Sequence, residues 1–324
     1  MLFFIILQTD SLRFGDSLNI KFVSRWKSLK PIVGIDVKGN YAYLSSLKSI
    51  YIIDFSEVKQ LGAAPEIKLE GMPVGLKVSG NYLYVAGGKE GLIVIDITDP
   101  YTAQVVSQVP SRDSAVFLDI RENYLFLADA EAGITIYDIS NPKQPKMVSF
   151  FDTPGFARGI HVVGNYAYVA DGPAGLVVLD ISNIKNIKML NSYSLGDTTF
   201  AIAVRYHNNR AYLAVGKNGL YVFDVSNIKD IKPIIRYVGI GEALGLYLRG
   251  NYLHLAAGKG GIRVFDLDRV ENEFRLGRKT ILESEVARYR APEYNNDVIF
   301  DLIVQGNYIL SASRNGLIIY ANSY

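Results

Sequence analysis

The sequence predicts an all-β fold, a seven-bladed β-propeller of four-stranded antiparallel blades. Three observations carry this. One segment recurs seven times with a period near 42 residues, each copy reads as four short strands, and the two ends of the chain supply complementary parts of one unit.

The recurrence is plainest at an apolar run closed by aspartate. It reads SIYIID to Asp54, GLIVID to Asp96, GITIYD to Asp138, GLVVLD to Asp180, GLYVFD to Asp224 and GIRVFD to Asp266. The last copy, GLIIYA, has Ala321 in place of the aspartate. Successive steps are 42, 42, 42, 44, 42 and 55 residues. A second anchor precedes each run: Gly39-Asn40-Tyr41, Gly80-Asn81-Tyr82, Glu122-Asn123-Tyr124, Gly164-Asn165-Tyr166, Asn208-Asn209-Arg210, Gly250-Asn251-Tyr252 and Gly306-Asn307-Tyr308.

The fourth copy shows the elements in order. Ala157 to Val163 alternates as a strand, and Gly164-Asn165 turns the chain, both residues tolerating positive φ. Tyr166 to Ala170 forms the second strand and Asp171 to Gly175 a loop. Leu176 to Asp180 is apolar on both faces, as expected of a strand covered by neighbouring blades. A Ser-Asn link leads to Met189 to Tyr193, the fourth strand. The only stretch with a trace of helical spacing is Leu282 to Tyr289.

The seventh unit reaches Tyr324 after three strands. Ile20 to Trp26 (IKFVSRW) precedes the first unit and matches a fourth strand, so this N-terminal strand is expected to complete the last blade and close the ring. The domain is therefore placed at 20–324, with an insertion at about 283–297 that accounts for the long last step. Residues 1–19 read as a tail. Its opening, MLFFIIL, lacks a preceding basic residue, and a signal remnant and an extra strand both stay open.

The wording of the repeat, GLIVIDITDP, GITIYDISNPKQP and GLVVLDISN, resembles the LVIVD-repeat family over roughly residues 20–324, with Ser49 and Ala321 departing from its pattern. The resemblance implies a propeller, found mostly in bacterial and archaeal proteins, many exported or surface-associated. It brings no catalytic motif. An extracellular or cell-surface location is the expectation that goes with it.

Composition narrows the classes. Net charge is +2 from 34 basic and 32 acidic residues, which gives no basic stripe for nucleic acid. No cysteine is present, so disulfides and thiolate metal sites are excluded. No run approaches the length of a membrane-spanning helix.

The repeated aspartates sit before Ile-Ser-Asn or Ile-Thr-Asp turns, where a carboxylate accepts backbone N–H groups, so they read as structural. Four residues before each turn Asn the innermost strand carries Asp36, Lys77, Asp119, His161, Arg205, Tyr247 and Ile303, a ring around the central channel. Two residues earlier the position is mostly small (Gly34, Gly75, Gly159, Ala203, Gly245), with Phe117 and Asp301 as exceptions. The ring reads as mutually neutralised acids and bases, with an ion or small-ligand site as the alternative. His161, His207 and His254 lack zinc-site spacing, and the glycine loops at 87–91 and 258–261 join strands instead of opening helices. No cofactor and no metal is expected.

One face of the disc carries the hairpin loops and blade connections. Arg112, Asp113, Asp129, Phe156, Arg158, Asp171, Phe200 and Glu242 are expected there, with Tyr289, Arg290 and Tyr294 of the insertion. The reading is a non-catalytic protein-interaction or surface scaffold module, binding another protein or a surface polymer. The alternatives are an enzyme or glycan-binding lectin at the channel mouth, and self-association through an exposed strand.

Overall fold

The computed structural model describes residues 20–196, 198–277, 284–289 and 297–322. Seven antiparallel sheets succeed one another along the chain, each with its first strand innermost. Blade 4 is representative: Gly159–Val163, Tyr166–Ala170, Leu176–Asp180 and Lys188–Tyr193 pair in chain order. Its third strand is buried at four of five positions, and this holds in blades 2, 3 and 6 as well. Each blade exposes two apolar faces, and seven clusters of buried side chains fill the spaces between blades.

The ring closes as the sequence predicts. Lys21–Lys27 pairs antiparallel with Gly316–Ala321, from Lys21 opposite Ala321 to Lys27 opposite Gly316, and completes the sheet whose other strands are Ile299–Gln305 and Tyr308–Ser313. Every main-chain edge of the last blade's third strand thereby gains a partner.

The turn aspartates act as expected. Asp54, Asp96, Asp138, Asp180 and Asp224 accept the backbone N–H two residues on, at 2.8, 3.0, 2.8, 2.9 and 2.9 Å. Asp266 makes the same bond to Asp268, at 2.9 Å, and adds Arg269 N–H at 3.3 Å. Here the bond caps a helix, Leu267–Arg275. Leu267, Val270 and Glu273 face inward, and the Glu273 carboxylate receives Ser284 N–H at 2.8 Å and Tyr237 O–H at 2.8 Å.

This helix corrects two expectations. The helical spacing read at Leu282 to Tyr289 is not realised in its described part: Glu285–Tyr289 is the fourth strand of blade 6. The segment 283–297 is accordingly no simple inserted loop, since its described part contains that strand and much of the extra length precedes it as the helix. The physical reason is that local spacing cannot compete with the open edge of Ile262–Asp266, which offers a ladder of unmet backbone groups.

Blade 1 departs in its outer edge, which is split into Gly62–Ala63 and Ile67–Lys68. Ser49 occupies the position of the glycine that elsewhere lies under the outer strand. At Gly175, for comparison, a Cβ would stand 2.2 Å from the Tyr193 carbonyl oxygen. The Ser49 hydroxyl needs that room and donates to Glu66.

Candidate functional site

The site is built around the central channel, which the innermost strands line. Their approach is close: a Cβ on Gly34 would lie 2.3 Å from the Val74 carbonyl oxygen of the next blade. Where this position carries a larger side chain, in Phe117 and Asp301, that residue lines both the channel cavity and the bowl above it.

Asp36, Lys77, Asp119, His161, Arg205 and Tyr247 all converge on one cavity of about 180 Å³. Their organisation is more specific than mutual neutralisation. Asp36 accepts the N–H of Val37 at 2.9 Å and of Val78, in the next blade, at 2.7 Å. Asp119 repeats this with Ile120 at 3.0 Å and Val162 at 2.9 Å. His161 Nδ1 accepts from Tyr206 N–H at 2.9 Å, so the ring nitrogen there carries no proton. Asp301 continues the series, accepting from Leu302 at 2.9 Å and from Ile35 across the seam between blades 7 and 1. The acceptors of the ring are thus sewn to the backbone of the following blade. Only Lys77 and Asp119 approach as an ion pair, at 3.6 Å.

Burial sets the charge states. It pushes the Asp301 carboxyl up to about 6 and raises Asp36, against the pull of Lys77 on the latter. Burial, helped by the Arg205 charge, lowers His161 to about 4, leaving it neutral at pH 7.

Above Phe117, Arg205 and Asp301 the channel widens into an open bowl of about 380 Å³. Met72, Val116, Ile202, Leu246 and Phe300 wall it, and Arg158 enters from blade 4. Leu47 (45% exposed) and Met72 (58%) form an apolar rim.

The loop face lies around this bowl. Five backbone bridges fasten the hairpin loops of blades 2 to 6 to the following blade, as in Gly88 with Ala115 and Gly172 with Ala201. Asp129 and Asp171, expected at the surface, are fully buried. Asp129 receives Arg112 N–H at 2.7 Å, Asp113 N–H at 3.2 Å and the Thr135 hydroxyl at 2.8 Å. Asp171 receives Thr153 O–H at 2.6 Å and Gly155 N–H at 2.7 Å. They organise the loops and present nothing to solvent. The connecting segments fold over them, which a single unit's sequence does not show.

Phe156, Arg158 and Phe200 do come together. The two phenylalanine rings are 6.1 Å apart, and the Arg158 guanidinium lies 5.6 Å from the Phe200 ring. Phe156 and Phe200 border a groove of about 630 Å³ that also includes Glu131, Pro154 and Pro173. Arg112 sits nearby over the exposed Phe150 ring, at 3.8 Å, and pairs with Asp152. Asp113 holds Glu131 N–H at 3.1 Å. Glu242 lies elsewhere on the face, against Gly258, and outside the groove. Tyr289 belongs to the outer strand of blade 6 and packs its ring 4.7 Å from Tyr320, so it serves a blade contact instead of a loop. Arg290 and Tyr294 lie outside the described residues.

A model of the LVIVD repeat matches residues 33–60, 70–108, 114–153, 154–194 and 202–230. The chain belongs to the LVIVD repeat family. In this LVIVD protein the matches end in blade 5, just before the blade where a helix replaces the Ser-Asn turn. No curated protein matches the chain. Among solved structures, the computationally designed Ika8 protein is similar with a TM-score of 0.65 at 13% identity, over 94% of this chain and 100% of its own. That likeness concerns the fold alone. Among the described residues no group of three or more His, Asp or Glu side chains gathers as a metal site, and no helix is long and apolar enough to cross a membrane.

Proposed function

We propose that this LVIVD-repeat propeller is a non-catalytic binding module that takes a protein partner on its loop face, along the groove beside Phe156 and Phe200. The observation that carries the reading is the Phe156–Phe200 ring pair, 6.1 Å apart, with Phe200 38% exposed and Arg158 behind it. Aromatic and arginine side chains at the centre of a concave patch are the usual anchors of protein interfaces. The buried carboxylates of Asp129 and Asp171 fix the loops beneath, so the surface is rigid before a partner arrives and loses little entropy on binding.

Affinity capture from the source cell, with wild type and the Phe156→Ser/Phe200→Ser variant compared, tests this. The expected result is one or more specific partners retained by wild type and lost by a variant with unchanged melting temperature. An identical set of captured proteins would end the reading. Deleting 283–297 is no substitute, because it removes the Glu285–Tyr289 strand.

A further inference from the structure

The bowl at the channel mouth holds a pair of guanidiniums, of which the docking groove touches only Arg158, through Phe200. Two arginines reach it, and neither meets a carboxylate within ion-pair distance among the described residues. Arg158 makes no side-chain hydrogen bond, its Nε is buried without a partner, and its one neighbour of note is the Phe200 ring. Arg205 donates Nη1 to the Val204 carbonyl at 2.8 Å and otherwise lies 5.8 Å from the Phe117 ring. Asp301 is close enough to feel the Arg205 charge, but its oxygens are turned to the N–H groups of Leu302 and Ile35. A half-buried guanidinium with unused donors is costly unless an anion completes it.

The surroundings specify the anion. The walls are apolar, with Met72, Val116, Ile202, Leu246 and Phe300, and the rim residues Leu47 and Met72 stand open to solvent. With two arginines and one aspartate, the fixed charge of the bowl is close to a single positive. That favours one negative charge on an apolar body over a dianion. The volume, about 380 Å³, lies at the small end of the range for organic ligands of about 300–1,000 Å³.

We infer that the channel mouth is a binding site for a small amphipathic monocarboxylate, its carboxylate held by Arg158 and Arg205 and its apolar body against Val116, Leu246 and Phe300. The site adjoins the docking groove through Arg158, whose guanidinium faces the Phe200 ring, while none of its three apolar wall residues borders that groove.

Calorimetric titration with octanoate tests the inference, with octanol and acetate as the uncharged and tailless arms. Octanoate is expected to bind saturably, about tenfold or more tighter than either control, because only it offers both a bidentate carboxylate and an apolar chain. Arg158→Gln should erase the preference over octanol, and Val116→Trp, which fills the bowl, should abolish octanoate binding. Phe156→Ser should leave binding unchanged, which separates failure of this site from failure of the docking groove. No binding to wild type, octanol binding as tightly as octanoate, or unaltered octanoate affinity in a folded Arg158→Gln or Val116→Trp variant would each overturn the assignment.

Discussion

Arg25 and Asp297 stand 272 residues apart in the chain and meet in a buried ion pair at the seam of the ring. Both side chains are 5% exposed, and the Ser313 hydroxyl donates to the same carboxylate at 3.2 Å. The pair ties the N-terminal strand to the start of blade 7, at the one junction that chain connectivity does not hold.

Removing one partner leaves the other charged and buried. Asp297→Ala is expected to lower unfolding free energy by about 3–5 kcal/mol, measured by denaturant titration at pH 7. Arg25→Met combined with Asp297→Leu should recover most of the loss. A single variant as stable as wild type would remove the pair from the closure.

The strand itself should matter more than the pair. Deleting residues 1–27 strips the partner from Gly316–Ala321 and uncovers Ile318 and Tyr320, both buried in the closed ring. A sharp drop in melting temperature, with self-association through the open edge, is expected by calorimetry and light scattering. An unchanged melting temperature would contradict closure by this strand.

The channel ring separates structural from dispensable charges. Asp119→Ala leaves Val162 N–H, in the next blade, without its acceptor and should cost about 1–3 kcal/mol. Lys77→Ala touches a side chain that is 43% exposed, in a pair at 3.6 Å, and should cost less than about 1 kcal/mol. Equal losses from the two would show that the ring works by neutralisation after all.

Two glycines with similar backbone angles should respond differently to alanine. Gly164 has φ of +54° with nothing within 4 Å of a built Cβ, so Gly164→Ala carries only the left-handed penalty of about 1–2 kcal/mol. Gly175 has φ of +76° and a carbonyl oxygen 2.2 Å from that Cβ, so Gly175→Ala must also displace the outer strand. Its loss should be clearly larger in the same unfolding assay.

His254 gives a signature in pH. It is fully buried, and burial lowers it from 6.5 to about 4. Between those values the unfolded chain binds a proton that the folded chain refuses, so the folded state loses stability as pH falls from 6.5 toward 4. His254→Phe places there the residue type of Phe126 and removes this dependence. The stability difference between variant and wild type should therefore shift in the variant's favour by about 3 kcal/mol over that interval. A pH-independent difference would mean that His254 is protonated at little cost.

Much of this was legible because it is local and periodic. The two anchors located the strands, the turn aspartates declared their bonds by repetition, and Asp36, Asp119 and His161 were placed on the channel by register alone. The helix after Asp266 was not legible, since the same carboxylate in the same place serves a turn in five other blades and a cap here. Asp129 and Asp171 looked like loop-face groups because strand register does not show what folds over them. The connections that lead into their own blades do, through Arg112 and Asp113 over Asp129 and Thr153 and Gly155 over Asp171.

The sequence by itself determined the blade count and the four-strand unit, because each follows from side-chain alternation and turn chemistry within some forty residues, and the likeness of Ile20 to Trp26 to a fourth strand marked the one that closes the ring. Only the tertiary structure decided which unlike residues meet. Ring closure sets the distances across the channel, and it is closure that seats Asp301 beside Ile35, leaves Arg158 and Arg205 without an ion-paired carboxylate among the described residues, and opens an apolar bowl that both of them line. No period in the sequence carries that information, since the contacts join positions where the copies differ.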